Sequence, residues 1–116
     1  MRHLSKQKKF GRTMNQRNAL LNGLVRSLIE RERIVTTEVK AKSLRPRVEK
    51  IITKGKVKNL STVRYLHSLL NPKNAKKVYD VLSPRYQSRP GGYTKIMKMP
   101  PRKSDGASMA IIELIK

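Results

Sequence analysis

The 116-residue chain has no cysteine and no tryptophan, and it has only seven acidic residues against 28 lysines and arginines. Without cysteine, neither a disulfide framework nor a thiolate metal site can form. The chain also lacks the run of about 20 apolar residues that a membrane-spanning helix needs. The longest candidate, residues 109–112, is followed directly by Glu113. These absences exclude a disulfide-stapled scaffold and a transmembrane helix.

Residues for catalytic or metal chemistry are also scarce. The two histidines, His3 and His67, are far apart in the sequence, whereas zinc needs about four nitrogen or sulfur ligands at suitable spacing. No serine, histidine and aspartate are arranged like a catalytic triad. The Gly-Lys at residues 55–56 lacks the rest of a phosphate-binding P-loop. The sequence therefore predicts neither an enzyme nor a bound metal or cofactor.

The net charge of +21 is the dominant feature of what is present. Self-repulsion at such a charge opposes a compact free state, and a polyanionic partner would relieve it. Residues 1–17 and 84–103 carry six basic residues each, and residues 45–58 form a weaker third zone. This footprint predicts a nucleic-acid-binding protein. A solvated charged face, an architectural DNA-binding protein and a membrane-active basic protein are the alternatives.

Residues 1–12 are polar and basic with little apolar periodicity, so we expect an extended N-terminal arm that is disordered alone. Residues 1–29 contain no acid, which makes an organelle transit peptide an alternative for this stretch. Thr13 and Gln16 match a capping box. Apolar residues at helical spacing follow, and they predict a helix to about Glu30.

A strand and a second helix are predicted next. The β-branched residues of "RIVTT", residues 33–37, favour a short strand. Thr37 is suited to cap the helix that follows, because its hydroxyl can accept from a free backbone N–H. The apolar stripe then predicts one helix, kinked at Pro46 because proline lacks a backbone donor, and ending near Gly55.

Two shorter helices and a hairpin complete the predicted order. Apolar spacing predicts a third helix over residues 60–70, and Asn71 with Pro72 predicts the start of a fourth. We expect Ser83-Pro84 to stop that helix. The stretches "YTKIMKM" and "SMAIIELI" then predict two antiparallel strands across a polar loop. The fold class is therefore α+β, with about four helices packed on a small three-stranded sheet.

The stretch "SPRYQSRPGGYTKI", residues 83–96, contains no acidic residue and invites two interpretations. Its arginines offer planar forks that grip phosphate with two hydrogen bonds. Tyr86 and Tyr93 are able either to stack on unpaired bases or to pack in the core. Gly91 and Gly92 permit positive φ and a close backbone approach, or mark a plain turn.

Five motifs in order resemble one family over almost the whole chain. They are "MRH" at the start, "FGRT" at 10–13, "ERIVTTEVKAKSLRP" at 32–46, the stretch at 83–96 and "SMAIIELI" near the end. Together they are similar to the bacterial large-subunit ribosomal protein L-seventeen family. The "MRH" start also favours the family over a transit peptide.

The resemblance implies a structural protein of the large ribosomal subunit in the bacterial cytoplasm. It implies contact with large-subunit ribosomal RNA near the polypeptide exit region, beside neighbouring ribosomal proteins, and neither a membrane nor a small-molecule substrate. It implies an α+β domain over residues 13–116 behind the arm of residues 1–12. From charge and resemblance together, the expected RNA contacts are Arg2, His3, Lys6, Lys8, Lys9, Arg12, Arg17, Arg45, Arg85, Tyr86, Arg89, Gly91, Gly92, Tyr93, Lys95, Arg102 and Lys103.

Overall fold

The structure, a computed structural model, describes residue 11 and residues 13–116. The predicted arm of residues 1–12 lies outside the described residues except for Gly11. The elements in chain order are α1 (Met14–Arg31), β1 (Arg33–Thr37), α2 (Glu38–Gly55), α3 (Leu60–Leu69), α4 (Pro72–Lys77), a π-helical turn (Val78–Leu82), α5 (Ser83–Arg85), β2 (Thr94–Met99) and β3 (Met109–Leu114).

Side-chain caps begin the first two helices, as the sequence predicts. Thr13 and Gln16 form the reciprocal capping box of α1. The Thr37 hydroxyl accepts from the Lys40 N–H at the start of α2. The second helix runs unbroken through Pro46 and ends at Gly55. Proline removes the hydrogen bond to the carbonyl four residues earlier. Lys42 holds that carbonyl, and both residues are exposed, so water can reach the unpaired group.

The fourth predicted helix begins as expected but ends later. Asn71 accepts from the Asn74 N–H at 2.8 Å, and Pro72 occupies the first turn. Helix α4 then passes through the π-helical turn into α5, which contains Ser83 and Pro84. The prediction that Ser83-Pro84 stops this helix is therefore wrong.

A contact from outside the helix explains how Pro84 is accommodated. In the π-helical turn, the Ser83 N–H donates to the Val78 carbonyl, five residues earlier. Continuing that pattern, Pro84 would donate to the Tyr79 carbonyl, but it has no N–H. The Lys58 ammonium donates to this carbonyl instead. The helix thus loses one backbone hydrogen bond without leaving its acceptor unpaired.

The three strands form one antiparallel sheet in the order β1-β3-β2. The predicted hairpin of β2 and β3 is confirmed, and β1 pairs with the other edge of β3. Ile111 stands opposite Val35 on one side and Met97 on the other. Because side chains alternate along a strand, Ala110, Ile112 and Leu114 point to the opposite face.

The helices cover that opposite face and form the core with it. Leu28, Leu44, Ile52 and Ile112 have no exposed surface. Full burial of such a side chain contributes about 1.5–3 kcal/mol. The other face of the sheet is open, with Val35 55% exposed. This arrangement confirms the α+β prediction of four helices on a three-stranded sheet.

Candidate nucleic-acid interface

The lysines and arginines of the structure fall into two groups: those in ion pairs with carboxylates and those without such a partner. Among the described residues, eight ion pairs join six of the seven acidic side chains to eight basic ones. Most of the remaining described lysines and arginines have no carboxylate within ion-pair distance. The positive excess is therefore carried by side chains that an anionic partner can reach.

The stretch from residue 83 to residue 96, here called the Arg–Tyr segment, connects the end of the fourth helix with β2. Its two tyrosine rings face inward: Tyr93 is 0% exposed and Tyr86 is 3% exposed. Their ring centroids lie 5.1 Å apart. The Tyr93 hydroxyl shares a hydrogen bond of 3.0 Å with Thr53, and the Tyr86 hydroxyl donates to the Ile115 carbonyl. These rings pack in the core and leave no exposed face on which a base could stack.

Gly91 and Gly92 have the backbone conformations that only glycine adopts easily. Their φ angles are +149° and +65°. A Cβ atom at either position would meet no other atom within 4 Å. Backbone conformation rather than crowding therefore calls for glycine here, and the space beside both residues is open.

Arg85 of the Arg–Tyr segment is already paired with a carboxylate of the same chain. It hydrogen-bonds and pairs with Glu32, which also contacts Lys77 at 3.2 Å. The Arg85 hydrogen bond lowers the pKa of Glu32, and Lys77 adds to this effect. The same contact raises the pKa of Arg85. Glu32 has a left-handed φ of +63° where α1 turns into β1. Arg85 thus ties the fourth helix to this strained turn.

Arg89 and Lys95 are the available cations of the Arg–Tyr segment. Both are exposed, and neither is in an ion pair with another described residue. The Arg89 guanidinium donates to the Gly92 carbonyl at 3.5 Å. This contact places the guanidinium beside the glycine pair. Lys95 stands opposite Glu113 in the sheet. The segment therefore presents two cations that are not neutralised by a carboxylate of the described residues.

The other predicted contacts fall into three groups. Arg102 pairs with Asp105 at 3.4 Å in the β2–β3 loop, where Lys103 is exposed. Arg45 pairs with Glu49 at 3.5 Å on α2, and Arg17 lies on α1. The remaining candidates lie outside the described residues: Arg2, His3, Lys6, Lys8, Lys9 and Arg12.

A second basic region lies beside the Arg–Tyr segment and is missing from the predicted contacts. It comprises residues 54–58, here called the lysine loop, at the end of α2. The Lys56 ammonium lies 4.7 Å from the centroid of the Tyr93 ring, and it donates to the Arg89 carbonyl. One lysine therefore joins the two basic regions into a continuous surface.

The two flanking lysines of the loop also lie over tyrosine rings. Lys54 lies 5.0 Å from the Tyr65 ring centroid, and Lys58 lies 3.8 Å from that of Tyr79. None of the loop lysines has a carboxylate partner in the described part of the chain. The alternation of lysines is visible in the sequence, but the tyrosines come from three distant positions and give no local pattern.

The described residues contain no helix long and apolar enough to cross a membrane. Within the same residues, no cluster of three or more His, Cys, Asp or Glu side chains suits a metal ion. The fold and surface thus define a polycationic α+β protein whose charge is concentrated on accessible side chains.

Comparison with known proteins identifies the family. The family model described as "Ribosomal protein L17" matches residues 20–115, so the chain belongs to the ribosomal protein L17 family. This family consists of structural proteins rather than enzymes.

Curated bacterial relatives support this assignment over nearly the whole chain. The "Large ribosomal subunit protein bL17" of Ehrlichia canis is 52% identical, covering 99% of this chain and 91% of the relative. The protein of the same name from an Exiguobacterium species is 50% identical, with 92% and 97% covered. That from a Hydrogenobaculum species is 48% identical over the full length of both.

Proposed function

We propose that this chain is a structural constituent of the bacterial large ribosomal subunit and that it binds and stabilises large-subunit ribosomal RNA. The observation that carries the RNA contact is the continuous surface formed by the Arg–Tyr segment and the lysine loop. Arg89, Lys95 and the loop lysines have no carboxylate partner among the described residues. Phosphates of an RNA backbone can therefore neutralise their charge. The family membership and the names of the relatives support the ribosomal setting.

The proposed mechanism is electrostatic docking without turnover. Lysine and arginine side chains neutralise phosphates and release condensed counterions, so affinity falls steeply with salt. A protein with 6–10 phosphate contacts on DNA loses roughly 10³–10⁵ in affinity between 50 and 200 mM salt. Specificity comes from RNA shape, because the deep major groove of A-form RNA hides base edges from side chains.

The folded part and the arm have separate tasks in this proposal. The folded part positions both cations, because the buried rings of Tyr86 and Tyr93 anchor the chain on either side of Arg89, and Lys95 lies in β2. The arm of residues 1–12 adds the cations Arg2, Lys6 and Lys9 and their neighbours. The placement near the polypeptide exit region, beside other ribosomal proteins, rests on the family resemblance alone.

The experiment that tests RNA binding removes two available cations together. We expect Arg89→Ala with Lys95→Ala to weaken binding to large-subunit RNA and to reduce the salt slope by about two, roughly one for each lost phosphate contact. Binding is measured by filter retention over a series of salt concentrations. The matched control is Lys42→Ala with Lys73→Ala, which removes the same charge from side chains already paired with carboxylates.

Two results would contradict the proposal. Equal losses in both double variants would mean that net charge, rather than this surface, sets the affinity. Stronger binding to duplex DNA than to structured RNA in direct competition would favour an architectural DNA-binding protein. Sedimentation of the chain with the large subunit, and its return to the top of the gradient after RNase treatment, would support the ribosomal setting.

A further inference from the structure

A depression of about 240 Å³ lies where α1, α2 and α3 meet. Its wall combines apolar side chains with amide and basic ones from the three helices: Asn22, Arg47, Lys50, Ile51, Tyr65 and Leu69. It is smaller than the roughly 300–1,000 Å³ of pockets that hold drug-sized ligands, so it suits a single ring system. No carboxylate of the described residues lines it. An anionic occupant would therefore meet cations and no acidic group.

Arg47 is the half-buried cation of this wall, and two amides hold it where a carboxylate could have done so. Its guanidinium donates to the Asn22 side-chain oxygen at 3.4 Å and to that of Asn18 at 3.0 Å. These neutral partners orient the guanidinium and leave its charge uncompensated, since no carboxylate among the described residues pairs with it. An arginine has more N–H donors than these two contacts use. Arg47 can therefore still bind a ligand.

Tyr65 connects this depression with the lysine loop. The half-buried residue lines both this depression and a neighbouring one of about 410 Å³, which Lys54 of the lysine loop borders. The Lys54 ammonium lies 5.0 Å from the centroid of the Tyr65 ring. Lys50 lies one turn before Lys54 on α2 and is also exposed. A row of cations thus leads from the lysine loop along α2 to Arg47, with a tyrosine beside it.

The chemistry of the wall selects a nucleobase over a phosphate alone. Ile51 and Leu69 offer apolar contact, from which a flat ring gains and a phosphate does not. Arg47 and Asn22 offer N–H donors, which suit the acceptor atoms at the edge of a base. The exposed lysines beside the depression provide charge for the phosphates that flank such a base.

We propose that this depression binds one unpaired nucleobase of large-subunit ribosomal RNA. The base packs against Tyr65, its edge accepts hydrogen bonds from Arg47 and Asn22, and Lys50 and Lys54 contact the neighbouring phosphates. Unpaired bases are the part of RNA that proteins bind by stacking and by hydrogen bonds to base edges. The continuity with the lysine loop favours RNA over an acidic protein segment as the occupant. The inference rests on the proposed function, because it specifies how the same RNA is held.

The first test separates base stacking from charge through the salt dependence of RNA binding. We expect Tyr65→Leu to lower the affinity for large-subunit RNA about tenfold, because stacking contributes about 1–3 kcal/mol per base and leucine keeps part of the apolar contact. The salt slope should not change, since a lost stacking contact releases no counterion. Tyr65→Phe keeps the ring and should bind like the parent chain. Lys50→Ala should instead reduce the salt slope by about one.

The matched control for the tyrosine is Tyr79→Leu. Tyr79 is also half-buried, and Lys58 of the lysine loop lies 3.8 Å from its ring centroid. This variant therefore loses the same kind of support for a loop lysine, but at a groove that the carboxylate of Asp80 lines. We expect a clearly smaller loss of affinity than with Tyr65→Leu. Urea denaturation shows whether both variants are folded. Equal losses, or no loss with folded Tyr65→Leu, would overturn the inference.

The second test identifies the class of the occupant in the assembled particle. A photoreactive benzoylphenylalanine replaces Lys50 at the rim of the depression, and large subunits that contain this chain are purified and irradiated. We expect the chain to crosslink to RNA, and we expect Tyr65→Leu in the same chain to lower the yield. A crosslink to protein alone would favour an acidic protein segment and overturn the inference.

Failure of this inference is distinguishable from failure of the proposed function. If the chain binds no large-subunit RNA and is absent from purified large subunits, the proposed function fails and the depression loses its ligand. If Arg89→Ala with Lys95→Ala weakens RNA binding but Tyr65→Leu loses no more than Tyr79→Leu, the function stands and the inference fails.

Discussion

The Arg–Tyr segment and the lysine loop combine the same two residue types in opposite ways. In the Arg–Tyr segment the rings of Tyr86 and Tyr93 point into the core, and Arg89 stays outside. In the lysine loop the cations lie over rings that other elements supply. The Tyr93 ring is common to both regions, because it belongs to the Arg–Tyr segment and Lys56 of the lysine loop lies over it.

A basic surface can therefore be held in shape by tyrosine rings that lie beneath its cations. A tyrosine ring beneath a lysine attracts the ammonium through a cation–π interaction and so restricts its position. The same ammonium keeps further N–H donors for an anion, since each lysine has three. Tyrosines in a basic sequence can thus organise phosphate-binding side chains without touching the nucleic acid themselves. Three substitutions separate these roles, and they are taken in order of decreasing effect.

The largest effect should come from Tyr93→Ala, which removes the ring that both regions share. We expect a loss of about 3–5 kcal/mol in the free energy of unfolding, the usual cost of truncating a buried aromatic side chain. Urea denaturation followed by circular dichroism measures it. The control Tyr93→Phe keeps the ring and loses the hydrogen bond to Thr53, so it should cost about 1 kcal/mol. Equal costs for both variants would show that the ring does not support the core.

The second effect is a dependence of stability on pH that comes partly from the contact between Arg85 of the Arg–Tyr segment and Glu32. Arg85, followed by Lys77, lowers the pKa of Glu32 below its ordinary value of 4.5. A carboxyl with a lowered pKa in the fold stabilises it above the unfolded pKa, and this contribution disappears as the pH falls through the folded pKa. We therefore expect stability to drop below about pH 5, the window set by the shift of Glu32.

Glu32→Gln should remove part of this acid dependence and cost about 1 kcal/mol at pH 7, because the paired side chains are only 25% and 28% exposed. Thermal unfolding between about pH 3 and pH 7, the range in which carboxyl groups titrate, measures both the acid dependence and the loss of stability. Glu38, whose pKa Lys42 also lowers, should keep the rest of the dependence. The control Glu30→Gln removes an exposed pair and should cost less than about 0.5 kcal/mol. Identical pH profiles for the Glu32 variant and the parent chain would contradict the assignment.

The smallest effect should come from Lys56→Met, which separates the lysine loop from the Arg–Tyr segment and keeps the Tyr93 ring. The lost cation–π contact and the bond to the Arg89 carbonyl should cost about 0.5–1 kcal/mol of stability. Urea denaturation measures the change. Lys50→Met, in which an exposed lysine without an ion pair is replaced, should stay within about 0.5 kcal/mol. If the two variants lose the same stability, Lys56 does not join the regions.

The elements that local rules govern were predictable from the sequence. Thr13, Thr37 and Asn71 cap their helices through side chains that reach only three residues ahead, so each signal lies within a single short stretch. The hairpin and the strand "RIVTT" follow likewise from alternation and turn residues. The order of helices and strands therefore agrees with the structure.

Features that depend on distant contacts were not predictable. The helix continues past Ser83-Pro84 because Lys58, 21 residues before Tyr79, donates to its carbonyl. The inward orientation of Tyr86 and Tyr93 depends on the packed core, and the sequence alone left two interpretations. For the candidate site, the basic zones are visible in the sequence, but the ion pairs that neutralise some of their cations are not. Arg85 and Arg89 look equivalent in the sequence, and only the fold brings Glu32 next to Arg85.

The π-helical turn also governs how the chain tolerates a change of length. A helix advances about 100° per residue, so one residue added to a regular helix would turn everything after it to a different face. The wide turn Val78–Leu82 absorbs one such residue, and Val78, Leu82 and Tyr86 all remain buried. Removal of the exposed Val81 would leave these three at the i, i+3 and i+7 spacing of one regular helical face. The turn is thus a place where a deletion can be accommodated without moving the Arg–Tyr segment away from its anchors.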